Sequence, residues 1–252
     1  MDIKGKVFAI TGASSGLGLA TAKMILDQGG AVIGIDLKSS GSELDGYEKD
    51  RWKVFNGDVQ SPDEVRRCLK DGFDHFKKLH GAIACAGIAP AHMLYSEKRG
   101  SHTYDLFMKV LKVNVGGTFN LFNESLPLIL RHDVKGDERG VFVATSSIAS
   151  TEGQFGQVAY SASKGGVSGM ILPLARELSR HKIRVNAIAP GIFNTPMVSG
   201  FPEKVQKNLA DQVPFPPRLG VPDEFAALVR TLLENEYING SVYRLDGAVR
   251  MS

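Results

Sequence analysis

The sequence predicts an α/β fold, a Rossmann-like doubly wound, seven-stranded parallel sheet with helices on both faces. Three observations predict it. Short, nearly continuous apolar runs rich in Val and Ile alternate with longer stretches of helical periodicity, the pattern of parallel strands covered on both sides. The first apolar run passes straight into a glycine-rich turn that opens a helix. The 252 residues carry 43% hydrophobic and 23% charged side chains, and no Pro/Gly/Ser-rich linker interrupts them, so one domain over 1–252 is expected.

The elements follow in order. Residues 7–11 form the first strand, ending at Gly12, and 17–28 have helical spacing before Gly29-Gly30 stops it. Residues 31–36 make the second strand, 52–55 the third and 62–79 the second helix. The fourth strand is 81–86. A long helical stretch from about 103 to 131 leads through a polar loop, 133–140, into the fifth strand at 141–145. The next helix holds Tyr160 near its start and ends near His181. Residues 183–189 are the sixth strand, 223–236 a helix, and 241–245 the seventh strand. In such sheets ligands bind at the carboxyl ends of the strands.

The first strand ends in Thr11-Gly12-Ala13-Ser14-Ser15-Gly16-Leu17-Gly18. Glycines at this junction permit a tight turn and close backbone approach, and the exposed N–H groups of the helix start suit a pyrophosphate. Gly12, Ser15, Gly16, Leu17 and Gly18 are therefore candidate cofactor contacts. The spacing Gly-x3-Gly-x-Gly departs from the commoner Gly-x-Gly-x-x-Gly, and a glycine-rich turn without a ligand is the alternative. Asp36 ends the second strand, where a carboxylate can accept hydrogen bonds from both hydroxyls of an adenosine ribose and would repel a 2′-phosphate. It favours NAD over NADP, although Lys38 nearby softens the choice; a solvated turn acid is the plainer reading. Asp58 and Val59 close the third strand, with Asp58 placed to accept from an adenine amino group. Cys85, Ala86 and Gly87 close the fourth beside the ribose, Cys85 serving packing rather than nucleophilic chemistry.

Tyr160 and Lys164 stand four residues apart, on one face if the segment is helical. A free Tyr keeps its proton to about pH 10. Lys164 is the charge that could favour the phenolate: two unit charges about 4 Å apart near a surface interact by about 4 kcal/mol, enough to lower a pKa by roughly three units. Ser147, at the end of the fifth strand, is placed to hydrogen-bond a substrate oxygen; its neighbour Ser146 is the alternative. Gln154 is a candidate substrate contact or a structural loop residue.

Composition narrows the partners. The net charge of +3 is small and the basic residues are scattered, which argues against a nucleic-acid partner. Two cysteines and six histidines show no metal-ligand spacing, so no metal is expected. No run approaches the roughly 18 apolar residues of a membrane span. Met1 to Lys6 read as the lead into a strand rather than a signal segment, and a cytoplasmic location is expected, with the mitochondrial matrix as the alternative.

The glycine turn, Asp58, Ala86-Gly87, Asn114, Ser147, Tyr160, Lys164 and Pro190-Gly191 stand in the order and approximate spacing of the short-chain dehydrogenase/reductase family, which the chain resembles over nearly its whole length. Cys85 departs from the Asn that often precedes Ala-Gly in that family. Within the family, the type 2 3-hydroxyacyl-CoA dehydrogenase group is the nearer resemblance. It is carried by Cys85-Ala86-Gly87-Ile88-Ala89, by residues 152–157, 160–166, 212–220 and 244–251, and by the insert 133–140; residues 38–52 and 199–208 diverge.

The resemblance implies an NAD-dependent oxidoreductase that interconverts a secondary alcohol and a ketone. The expected substrate is a 3-hydroxyacyl-CoA, short or 2-methyl-branched, with hydroxysteroids as further candidates. By resemblance Tyr160 is the general acid or base, Ser147 holds the substrate oxygen, Lys164 favours the phenolate and binds the nicotinamide ribose, and Asn114 positions a water that relays protons to Lys164. Pro190, Gly191, Ile192, Phe193 and Thr195 close over the nicotinamide, and the stretch to about residue 217 is a substrate lid. A homotetramer is implied, built on the helices around Asn114 and Tyr160 and on the last strand. An NADPH-dependent 3-oxoacyl-carrier-protein reductase and a non-catalytic NAD-binding scaffold are the competing readings.

Overall fold

The computed structural model describes residues 1–38, 41–131, 138–200 and 202–251. Its strands are β1 (Val7–Thr11), β2 (Ala31–Asp36), β3 (Trp52–Asn56), β4 (Gly81–Ala84), β5 (Tyr95–Ser96), β6 (Gly100–Ser101), β7 (Gly140–Thr145), β8 (Ile183–Pro190) and β9 (Val242–Leu245). Its α-helices are α1 (Gly16–Asp27), α2 (Pro62–Phe76), α3 (Tyr104–Leu111), α4 (Gly117–Ile129), α5 (Val158–Leu178), α6 (Pro196–Ser199), α7 (Glu203–Ala210) and α8 (Pro222–Glu234).

Seven strands form one sheet in the order β3-β2-β1-β4-β7-β8-β9, with every pairing parallel. The expected fold class is thus the one found. Chain order reverses between β1 and β4, and the crevice at that reversal is where such sheets take ligands. Both faces are covered, which is why the strands are apolar along their length: β1 and β7 are buried at every position. One layer packs Leu69 of α2, Leu121 and Phe122 of α4 and Val167 and Ile171 of α5 against the sheet. The other packs Ile25 and Leu26 of α1 and Phe225, Val229 and Leu232 of α8. Phe122 stacks on Phe142 with ring centroids 4.5 Å apart, a contact worth about 1 kcal/mol beyond its burial.

Four local differences from expectation have physical causes. Helix α2 stops at Phe76 rather than 79 because Lys77 turns left-handed, φ 61°, and its N–H bonds the Phe73 carbonyl. The single helix expected over 103–131 is instead α3, a π-helical turn at Lys112–Gly116, and α4; a π-turn inside an α-helix is a frequent companion of functional sites. Strand β4 ends at Ala84 because its register with Thr11 of β1 and Ala144 of β7 ends there. The antiparallel pair β5–β6, closed by Gly100 at φ +72°, was not anticipated. Most of the polar insert 133–140 lies outside the described residues.

Candidate active site

The β1–α1 turn is shaped by glycine at the positions where a side chain is not tolerated. Gly12 has φ +69° and Gly16 φ +51°, left-handed values that L residues avoid. A Cβ on Gly18 would sit 2.1 Å from the Gly12 carbonyl oxygen, and one on Gly12 would sit 3.0 Å from the Ala86 nitrogen. The turn thereby exposes the start of α1. Ser15 is its exposed N-cap, and its side chain makes no capping bond. Leu17 is half-buried. The Ser14 hydroxyl is buried without a hydrogen-bond partner, an orphaned group that a phosphate or sugar oxygen could satisfy.

Asp36 reaches this turn from the end of β2. Its carboxylate accepts from the Ser14 N–H at 3.0 Å and the Leu37 N–H at 2.8 Å. These bonds fix its place beside the turn. Asp58 lies at the neighbouring strand end, but its carboxylate accepts from the Gln60 backbone at 2.9 Å and from the Gln60 amide at 3.0 and 3.3 Å. An adenine amino group there would compete with Gln60, a residue sequence reasoning missed. Val59 is buried against Gly117, and its carbonyl accepts from Asn120.

Cys85, Ala86 and Gly87 leave β4 between the turn and the Tyr160 helix. The Ala86 N–H bonds the Thr11 hydroxyl at 3.3 Å. Burial pushes the Cys85 thiol up to about 11, and the Thr145 hydroxyl donates to it at 3.7 Å. A thiol so protonated is a poor nucleophile and serves packing. Gly87 opens the space over Lys164: a Cβ there would lie 3.1 Å from Asn114 Oδ1 and 3.7 Å from Lys164 Nζ.

The loop after β8 closes the same crevice. Gly191 donates to the Leu245 carbonyl at 2.9 Å. Thr195 rests on Gly16, with its Cβ and Cγ2 3.4 Å from where a Cβ would stand. Pro190 is buried at the strand end, and the Ile192 carbonyl accepts from Gly220. Phe193 differs from expectation. Its ring is 6% exposed and packs edge-on to Phe225, so its side chain belongs to the core and only its backbone is left for a ligand. Beyond it, helices α6 and α7 occupy the segment expected to form a lid.

Helix α5 brings Tyr160 and Lys164 to one face. Ser147, 6% exposed, stands beside the Tyr160 phenol, and its oxygen caps the following 3-10 turn by accepting from the Ala149 N–H at 3.1 Å. Ser146 is committed elsewhere, donating to the Lys164 carbonyl at 3.1 Å and sharing a bond with Ser168 at 2.7 Å. This separates the two serines.

Lys164 corrects an expectation. Its ammonium lies 5.7 Å from the Tyr160 ring centroid and donates to the Thr145 carbonyl at 2.7 Å. Burial lowers it to about 8. Burial also raises the Tyr160 phenol, with the Ser147 hydrogen bond offsetting part of the rise. Neither shift carries a contribution from the other group, so in this arrangement burial sets the direction of both.

Asn114 is fully buried in the π-turn. Its Oδ1 accepts from the Ile88 N–H at 2.9 Å, and its Nδ2 donates to the Ile88 carbonyl and to Ser163 Oγ, each at 2.9 Å. Ser163 in turn donates to the Tyr160 carbonyl at 2.7 Å. The side chain thus holds three segments together, and the Asn114 carbonyl accepts from the Thr118 hydroxyl at 2.8 Å.

A cavity of about 490 Å³ opens between the β5–β6 hairpin and the loop before α5, lined by His92, Met93, Lys98, Arg99, Phe155 and Gly156 among others. Neither Ser147 nor Tyr160 lines it. Gln154 does not either; its backbone N–H bonds the Gln157 side chain at 2.9 Å. The nearest sequence signal for this cavity is Gly100, whose left-handed turn closes the hairpin.

Comparison with known proteins adds independent findings. The family model described as short chain dehydrogenase matches residues 6–206. The chain is 47% identical over 253 residues to the human protein named 3-hydroxyacyl-CoA dehydrogenase type-2, covering 99% of this chain and 97% of that one. It is 32% identical over 257 residues to the 3-oxoacyl-acyl-carrier-protein reductase of Thermotoga maritima, covering 99% of each. The crystal structure of 3-hydroxyacyl-CoA dehydrogenase type-2 from Mycobacterium avium superposes with a TM-score of 0.92 at 35% identity, over 98% of this chain and 97% of that one.

Proposed function

The chain belongs to the short chain dehydrogenase family, and from that premise we propose that it is an NAD-dependent 3-hydroxyacyl-CoA dehydrogenase, interconverting a 3-hydroxyacyl-CoA and its 3-oxoacyl-CoA. The observation that carries this reading is Ser147 beside the Tyr160 phenol at the crevice, with the Lys164 ammonium 5.7 Å from the Tyr160 ring centroid and the glycine turn at the end of β1.

The residues of the crevice suit a nicotinamide dinucleotide. Gly12, Gly16 and Gly18 leave room for a backbone approach to the pyrophosphate, the Ser14 hydroxyl needs a partner, and Asp36 is fixed where a ribose would lie. Bound there, the nicotinamide supplies or accepts the hydride. Ser147 donates to the substrate oxygen and holds it in place. Tyr160, kept protonated by burial, gives its proton to that oxygen when a ketone is reduced. In the reverse direction the Tyr160 phenolate takes the proton from the alcohol. Gly87 keeps the space above Lys164 open for a sugar hydroxyl.

NAD is favoured over NADP because Asp36 would face a 2′-phosphate with its own charge. The identity to the 3-oxoacyl-acyl-carrier-protein reductase keeps an NADPH-dependent reductase as the second reading. Steady-state rates with acetoacetyl-CoA and either NADH or NADPH separate the two. Far faster turnover with NADH is expected; the opposite preference would sink the Asp36 reading. Dinucleotide binding with no turnover on acyl-CoA or hydroxysteroid substrates would instead favour a scaffold.

A further inference from the structure

Arg244, on β9, was not among the residues singled out from the sequence for the site, yet it joins the loop after Ser147 to the segment that follows β9. Its Nη1 and Nη2 donate to the two carboxylate oxygens of Glu152 at 2.9 and 3.1 Å, and its Nε donates to Asp246 at 2.7 Å. Nη2 also donates to the Val249 carbonyl at 3.1 Å. Arg250 closes the group, with Nη1 3.4 Å from Asp246 and Nε 3.6 Å from Glu152. The Glu152 carboxyl is held below its usual range chiefly by the Arg244 bond.

Glu152 belongs to one site loop, and Asp246, just past β9, packs against another. Glu152 directly follows the turn that Ser147 caps, and its N–H bonds the Ile148 carbonyl at 3.0 Å. Asp246 presses on Gly191, where a Cβ would stand 2.8 Å from the Asp246 Cβ. The planar guanidinium of Arg244, paired with Ala189 in the β8–β9 register, spans the gap between them. A two-point Arg–carboxylate bond fixes direction as well as distance.

Resting on the oxidoreductase reading above, we infer that Arg244 and Glu152 are positioning residues: their bidentate pair fixes the Ser147 turn relative to the Gly191–Thr195 loop, and so sets the alignment of the substrate oxygen with the hydride position. Neither residue touches the reacting atoms. Small misplacement of aligned groups costs rate far more than it costs binding.

The test compares Glu152→Gln, Arg244→Gln and the double variant in the full chain, at temperatures well below each Tm. Each single variant is expected to lower kcat with acetoacetyl-CoA by about 10-fold, with the dinucleotide Kd changed less than about twofold, and the double to be no slower than the worse single. A pair that only stabilises the fold would lower Tm and leave kcat alone; that result, or losses that multiply in the double variant, overturns the inference. A wild-type chain without turnover would instead refute the reaction itself. Amide exchange needs no turnover: faster exchange at 147–152 in Arg244→Gln, with β7 unchanged, is expected, and unchanged exchange at 147–152 overturns the clamp.

Discussion

Lys164 is buried to 6% exposure with its ammonium on a carbonyl rather than a carboxylate, and this sets a sign for its effect on stability. Its folded value of about 8 lies below the ordinary 10.5, so between these values the unfolded chain holds a proton that the folded chain has released. Stability contributed by this site therefore rises with pH across that window and is lowest below it. Lys164→Met removes the buried cation. The stability of wild type relative to Lys164→Met is expected to increase between about pH 7.5 and about pH 9.5 in urea titrations; a constant difference would contradict the assignment. Tyr160 has the simpler test. With Tyr160→Phe the proton donor is lost but the ring remains, and kcat is expected to fall by about 10²- to 10⁴-fold while Tm changes little. Retained activity would remove Tyr160 from the mechanism.

The π-turn at Lys112–Gly116 shows how an element serves the site through hydrogen bonds. Asn114 occupies both backbone groups of Ile88, in the loop after β4, and reaches Ser163 on α5. Asn114→Ala strands both Ile88 groups in the interior, at about 1–3 kcal/mol each. For a chain of this length that is a Tm decrease on the order of 5–15 °C, which calorimetry would register. The glycine turn makes the complementary point. Gly18→Ala places a methyl 2.1 Å from the Gly12 carbonyl oxygen, a backbone atom that cannot yield without moving the turn. Dinucleotide affinity is expected to fall by at least about 10-fold in a fluorescence titration, because the phosphate-facing N–H groups move with the turn.

Across the whole molecule, the crevice at the β1–β4 reversal gathers groups from the ends of β1, β2, β3, β4, β7 and β8 and from α1 and α5, so a ligand bound there ties the sheet to helices on both faces. A ligand that binds only the folded chain stabilises it by about 2.7 kcal/mol at 100 times its Kd. NAD is therefore expected to raise Tm, and NADP at equal concentration to do so much less. Apolar side chains also remain on the surface of α4 and α5: Phe119 is 49%, Val158 51% and Leu172 45% exposed. These helices are the ones the family resemblance assigns to subunit contact, and sedimentation as a tetramer rather than a 27.2 kDa monomer is expected at micromolar concentration.

The order of strands and helices and the glycine turn were legible in the sequence because each is a local pattern of apolar period or turn chemistry, whereas Asp36, Ser147, Tyr160 and Lys164 were singled out by strand-end position, by spacing and by the family resemblance. The π-turn, the β5–β6 hairpin and the ends of α2 and β4 were not, since they are set by hydrogen bonds and register with distant partners. Phe193 reads as a site residue by its neighbours in sequence, but α8 supplies Phe225 and draws its ring into the core. Lys164 was expected to favour the Tyr160 phenolate from its spacing and from the family resemblance. Only the packed structure decides that balance, because desolvation depends on everything that surrounds a group, and the sequence alone names no more than its neighbours along one helix.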